Sequence, residues 1–269
     1  MRTLPIYQVD AFASDVFRGN PAAVMPLENW LPDGVLQALA AENNLSETAF
    51  LVPEGEDSAA DFHIRWFAPG AEVPLCGHAT LASAWVLFNR LGWEGDRIRF
   101  RSLRGELGVT RRSDGSLELD FPALSIEPVA IPELLRKALP ETRDLVFEVP
   151  HDTNYLVVLD SAEAVLQASP DLGLLRALGN QGVIITAPGD DCDFVSRYFA
   201  PGIGIDEDPV TGSIHSALTP YWSERLDRNP LLARQLSARG GELRCEHRGD
   251  RVGIAGKAAF YMAGEVEIP

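Results

Sequence analysis

Hydrophobic and polar positions alternate through residues 4–12, LPIYQVDAF, which predicts a strand, and Gly19-Asn20-Pro21 marks a turn before a second apolar run, Ala22 to Met25. Helical spacing takes over in LPDGVLQALAAENN, which starts near Pro32-Asp33 and stops at the Asn43-Asn44 pair. SETAFLV then reads as a strand with Ser46 and Glu47 at its mouth. A strand-turn-helix unit occupies residues 61–92, its helix running from about Gly77 to Leu91 and ending at Gly92. RIRFRSLRGELGVTRRSDGSLELDF alternates like hairpin strands, and Pro122 closes the first half. In the second half, short helical patterns cover 131–139 and 161–179, NYLVVLD and GVIITAP are strand-like, a helix runs from about Gly212 to Leu226, and the tail alternates again. Antiparallel strands with one long helix per half predict an α+β fold rather than a doubly wound parallel sheet.

Two of these stretches say nearly the same thing. DFHIRWFAPG, Asp61 to Gly70, is echoed by DFVSRYFAPG, Asp193 to Gly202, at an offset of 132 residues. Beyond Gly202 the second copy carries three extra residues, so that Pro74 meets Pro209 and Gly77 meets Gly212. The spacing is too long for a solenoid and predicts two similar domains, 1–122 and 123–258, with the last strand, about 259–269, returning to the first half. Two such domains facing each other would form a cleft. Each helix start offers N–H groups without intrahelical partners and the positive end of a dipole, a pairing suited to a small carboxylate.

Composition narrows the function. At 269 residues with 46% hydrophobic and 23% charged residues, the chain can bury one large core or two smaller ones. A net charge of −16 argues against nucleic acid or an anionic membrane surface as partner, since both require clustered cations. No stretch approaches the roughly 20 apolar residues of a membrane span, and the N-terminus lacks a signal-peptide pattern, so the expected location is cytoplasmic. Three widely spaced cysteines, Cys76, Cys192 and Cys245, fit a reducing compartment and form no CxxC site.

Among candidate chemical groups, Glu47 stands between Leu45 and Ala49-Phe50, surroundings that favour the protonated carboxyl and suit a general acid/base; the same residue also reads as a solvated turn glutamate. Cys76 precedes Gly77 at a helix start, where a thiolate is favoured, but a small buried core cysteine is the plainer reading because its counterpart in the second copy is Thr211. His78 and its counterpart Ser213 could each donate to a substrate oxygen, and Ser213 reads alternatively as a helix cap worth about 1 kcal/mol. Asp208 lies in an acidic run with Asp206 and Glu207, a pattern that usually marks a solvated face. The five histidines show no HExxH spacing, no EF-hand loop is present, and GIGIDEDPVTGS lacks a P-loop lysine, so neither metal nor nucleotide is expected.

Taken together, VDAFASDVFRGNPAAV, NNLSETAFL, IRWFAPGAEVPLCGHATLASAWVL and RYFAPGIGIDEDPVTGSIHSAL resemble the phenazine-biosynthesis PhzF-like family over nearly the whole chain. The resemblance implies the diaminopimelate-epimerase fold, two pseudo-symmetric halves that each wrap a β-barrel-like sheet around a central helix, with the active site between them. It implies an isomerase in which Glu47 moves a proton within the substrate, assisted by His78, Asp208 and Ser213; at the two helix starts, Cys76, Gly77, Thr211 and Gly212 are the residues expected to contact the substrate. It further implies no metal or organic cofactor, a small carboxylated metabolite as ligand, and a homodimer. Related racemases use two thiols, whereas here Cys76 faces Thr211. The chain also carries GHATLA and DPVTGS where the phenazine enzyme resembles GHPLLG and DAATGS, which leaves the compound itself open. Two other readings stand beside this one: a catalytically silent binding protein that uses the same cleft, and a cysteine-dependent epimerase.

Overall fold

The computed structural model describes residues 1–55, 57–143, 145–150 and 152–268. The chain groups into two compact units, one of residues 1–120 with 255–269 and one of residues 121–254. Pro269, the last position of the expected returning strand, lies outside the described residues.

The first unit contains β1 (Arg2–Ala11), β2 (Asn20–Pro26), α1 (Asp33–Asn43), β3 (Glu47–Pro53), β4 (Phe62–Phe67), β5 (Glu72–Val73), α2 (Gly77–Asn89), β6 (Arg97–Ser102), β7 (Gly105–Arg111) and β8 (Leu117–Pro122). The second carries β9 (Glu127–Pro128), α3 (Glu133–Ala138), β10 (Val146–Val149), β11 (Asn154–Val158), α4 (Ala162–Gln167), α5 (Leu172–Arg176), β12 (Gly182–Pro188), β13 (Phe194–Phe199), α6 (His215–Leu226), β14 (Leu231–Gln235), β15 (Gly241–Arg248) and β16 (Arg251–Gly256). β17 (Ala258–Ile268) belongs to the first unit because it pairs antiparallel with β1 from Arg2↔Ile268 to Ala11↔Ala258.

α2 is the centre of the first unit. Eleven of its thirteen residues are buried, which is why its sequence, GHATLASAWVLFN, is apolar on every side rather than striped. It packs against β1, β2, β3, β7 and β17. α1 covers another face, setting Leu36 and Ala40 against Leu4, Ile6, Met25, Phe50 and Phe67. In the second unit, Val157, Val183, Ile185 and Phe199 form a core with Leu135 of α3, Val165 of α4 and Leu175 of α5. α6 contains Pro220, which cannot donate to the Ser216 carbonyl one turn back; the Leu124 N–H takes that acceptor at 3.0 Å.

The fold is α+β, as expected, but its strands are mixed in sense. β2–β3 and β4–β6 in the first unit, and β11–β12 and β13–β14 in the second, are parallel pairs. Each joins strands separated in sequence by helix, α1, α2, α4 with α5, and α6 respectively, since a parallel pair needs a crossover. Side-chain alternation reports which face is buried and carries no information about the direction of the neighbouring strand. Two helix boundaries also differ from the sequence expectation. α2 stops at Asn89, where Arg90 leaves helical geometry, and α6 begins at His215 rather than Gly212. Gly212 to Ile214 instead form a tighter turn in which His215, Ser216 and Ala217 donate to the carbonyls three residues back. Among the described residues no helix is long and apolar enough to cross a membrane.

Candidate active site

Glu47 is the first residue of β3, opposite Ala22 of β2, and is 7% exposed. His78, in the first turn of α2, is 4% exposed. Its Nε2 lies 3.2 Å from Glu47 Oε2. The two are in contact without forming a well-aligned hydrogen bond. On the other side of the ring, Asn20 Nδ2 is 3.2 Å and Cys76 Sγ 3.5 Å from His78 Nδ1. An amide N–H can only donate, so Nδ1 is the acceptor and the ring proton sits on Nε2, facing the carboxylate. Burial pushes His78 down to about 3, which keeps the imidazole neutral near pH 7. His78 can therefore hand over a hydrogen bond without carrying charge.

The backbone explains how these groups meet. Gly19 has φ +64°, and a Cβ there would run into the Ala11 carbonyl, so glycine is required for the turn that sets Asn20 at the mouth of β2. Cys76 caps α2 in extended geometry with no side-chain cap bond, and Thr80 Oγ1 donates to the Cys76 carbonyl at 2.5 Å.

In the second unit, Asp208 is buried, unlike its neighbours in the acidic run. Asp206 pairs with Arg176 and Glu207 with Arg197, so the run divides into two structural carboxylates and one turned inward. The Asp208 N–H donates to the Tyr198 carbonyl at 3.0 Å, and its carboxylate accepts from Thr211 Oγ1. Gln235, at the end of β14, clamps this turn. Its Oε1 accepts from the Thr211 N–H at 2.9 Å, and its Nε2 donates to the Asp208 carbonyl at 2.8 Å and to Thr211 Oγ1 at 3.2 Å. Ser213 follows, half-buried, in the tight turn before α6. His215 is buried and held down at about 4 by burial, and its Nδ1–H donates to the Thr211 carbonyl at 2.8 Å. A cavity of about 670 Å³ in the same unit, lined by residues including Tyr221, Glu224, Arg228 and His247, contains none of these groups.

The structure thus gathers Glu47, Cys76 and His78 into one buried cluster, and Asp208 and Thr211 into another, with Gly212 and Ser213 in the turn that follows. Sequence reasoning missed three contributors. Asn20 was absorbed by the Gly-Asn-Pro turn, His215 looked like an interior helix residue, and Gln235 stands in no motif at all. Repeat alignment exposes a further one: Arg65 binds Glu72 through two bonds of 2.7 Å, and Arg197 binds Glu207 at 2.7 and 3.0 Å, each pair at matching places in its copy.

This architecture, strands packed with helices in each unit and a buried helix at the centre of the first, is the epimerase-like α+β fold. The protein aligns with a hydroxyproline epimerase from Agrobacterium vitis at a TM-score of 0.64 and 13% identity, covering 98% of this chain and 92% of that one, a likeness of fold alone. The chain itself belongs to the PhzC-PhzF family, described as phenazine biosynthesis-like protein, which it matches over residues 9–264. It is 51% identical over 265 residues to an uncharacterized isomerase of Pseudomonas aeruginosa, covering 98% of this chain and 99% of the relative. A crystal structure of a PhzF-family phenazine biosynthesis protein from Enterococcus faecalis superposes with a TM-score of 0.92 at 45% identity, covering 99% of this chain and all of that one.

Proposed function

We propose that the protein is a cofactor-independent isomerase that moves a proton within a small carboxylated metabolite, with Glu47 as the group that removes the proton and returns it at another carbon. The observation that carries this reading is the buried Glu47 carboxylate 3.2 Å from Nε2 of a neutral His78. Removing a carbon-bound proton requires a base that is close and partly desolvated, and a donor beside it to stabilise charge developing on the substrate. His78 supplies that donor. In this reading Asp208 and Ser213 would take the assisting roles implied by the family resemblance, and Cys76, Gly77, Thr211 and Gly212 would contact the ligand. The isomerase names of close relatives support the reaction class.

One carboxylate would do both steps, because the position that matches Glu47 in the second unit is a glycine. Strand register makes Gly182 the counterpart of Glu47: each opens the strand that pairs parallel to its predecessor. The space a side chain would need at Gly182 is filled by Asn154 Oδ1 and the Tyr198 ring and hydroxyl. Likewise Thr211 stands where a second thiol would be, which speaks against a two-thiol racemase. Cys76 Sγ, 3.5 Å from His78 Nδ1, favours as second reading a single reactive thiol. The expected assembly is a homodimer, which sedimentation at micromolar concentration tests.

The experiment begins with a thermal-shift screen of small carboxylates, followed by incubation of each stabilising compound with the protein in D₂O. NMR should find deuterium at a new carbon and an isomerised product. Stabilising ligands that acquire neither would mark the protein as a silent binder.

A further inference from the structure

The Glu47, Cys76 and His78 side chains come from three places on the first unit, the mouth of β3, the residue before α2 and its first turn, and they combine a carboxylate, a thiol and an imidazole in one buried cluster. Each presents a ligand atom, and all three atoms lie within 4.8 Å of one another. We infer that this cluster is a binding site for a borderline-soft divalent cation of the Zn²⁺ class, one that competes with the substrate for Glu47.

The donor set fits such an ion. Thiolate, imidazole and carboxylate are the three ligand types that Zn²⁺ takes, and three protein ligands with an open fourth position is the arrangement of an accessible site. Bond lengths of about 2.0 to 2.3 Å place neighbouring donors of a tetrahedral ion roughly 3.3 to 3.8 Å apart. The 3.5 Å between Cys76 Sγ and His78 Nδ1 already falls in that interval. The cation takes the Nδ1 lone pair in place of the Asn20 N–H, and the third bond requires the Glu47 carboxylate to leave His78 Nε2 and swing toward the sulfur. The thiol proton leaves to solvent as the sulfur–metal bond forms, so that thiolate and carboxylate together balance the charge of the ion. Nothing in the cysteine spacing signals this site, because its ligands come from SETAF and CGH, 29 residues apart at their nearest.

The consequence for turnover rests on the proposed role of Glu47: with the carboxylate and His78 held by a metal, proton transfer stops, and a chelator restores it. Binding itself is measured without any substrate, so the site and the isomerase reading fail independently. Co²⁺ titrated into the intact, metal-stripped protein should bind once per chain and produce a thiolate-to-cobalt absorption band, which Zn²⁺ abolishes by displacement. Cys76→Ser should lose the band, and Glu47→Gln should weaken binding at least about tenfold, the lower end of what even outer-shell partners of metal ligands are worth. X-ray absorption of the Zn²⁺-loaded wild-type protein, which depends on no variant, should find one sulfur among nitrogen and oxygen ligands. A wild-type protein without the band, a band that persists in Cys76→Ser, or a Zn²⁺ shell without sulfur would overturn the site.

Discussion

The two units share a skeleton and differ in their chemistry. Arg65 with Glu72 and Arg197 with Glu207 form the same two-bond clamp. Thr80 and His215, matching positions four residues beyond Cys76 and Thr211, bond back to the carbonyls of those residues. Against that common frame, the first copy carries Glu47, Cys76 and His78 where the second carries Gly182, Thr211 and Ser213, while Asp208 replaces Val73. Backbone-holding interactions survived in both copies and ionisable groups did not, as expected if the frame is needed twice and the proton-moving carboxylate only once.

The sharpest way to break this comparison is to remove the asymmetric group. Glu47→Gln keeps shape and loses the titrating oxygen, and should reduce isomerisation about 10² to 10⁴-fold, the usual contribution of a general acid/base, with the melting temperature little changed. Cys76→Ser, by contrast, should cost less than about tenfold in steady-state turnover.

The clamps sharpen it next. Arg197 sits 13% exposed and also donates to the Val165, Leu166 and Ala168 carbonyls, whereas Arg65 donates further to the exposed Asp33 and lies over the Trp30 and Phe67 rings. Urea denaturation should find Arg197→Ala destabilised by about 2 kcal/mol, between an exposed and a fully buried pair, and Arg65→Ala by less. Equal losses would mean that the carbonyl contacts add nothing.

Gln235→Leu should cost about 1 to 3 kcal/mol, because the buried Thr211 N–H loses its acceptor. If the turn around Asp208 contributes to turnover, kcat should fall with it. Gln235→Glu, which keeps the acceptor but buries a carboxylate against the Asp208 carbonyl, should cost at least as much.

The effect that is smallest near neutral pH is the acid sensitivity. His78 and His215 are neutral when folded, held at about 3 and about 4, but take up protons in the unfolded chain near the ordinary 6.5. The unfolded state binds more protons below that value, so stability should fall as pH drops below about 6.5 and the loss should level off near the folded values. His215→Gln, which can still donate to Thr211, should flatten the profile between pH 6.5 and 4. An unchanged acid limb would show that His215 is not the group being titrated.

Much of the frame was legible because it is written twice. Phe62–Phe67 and Phe194–Phe199 are strands at the offset the duplication gives, and the FAPG turns follow both. The sense of neighbouring strands was not legible, since alternation looks the same beside a parallel or an antiparallel partner. Nor was the late start of α6, because Gly212-Ser213 reads as a helix opening whether the first turn is α or tighter. Glu47 stood out only through resemblance; its local sequence fits a solvated turn, and burial comes from β2 and α2. Gln235 lies 24 residues from Thr211, and no spacing rule links an end-of-strand glutamine to a distant loop.

The central claim is that one carboxylate both takes and returns the proton. Once a turned-over ligand is in hand, the direct measurement is a single turnover in H₂O of substrate deuterated at the donor carbon, followed by mass spectrometry and NMR of the product. With Glu47 buried away from bulk water, the account predicts that part of the deuterium appears at the receiving carbon. Product free of deuterium at the earliest time points, its new hydrogen drawn wholly from solvent, would contradict it and point to a second group.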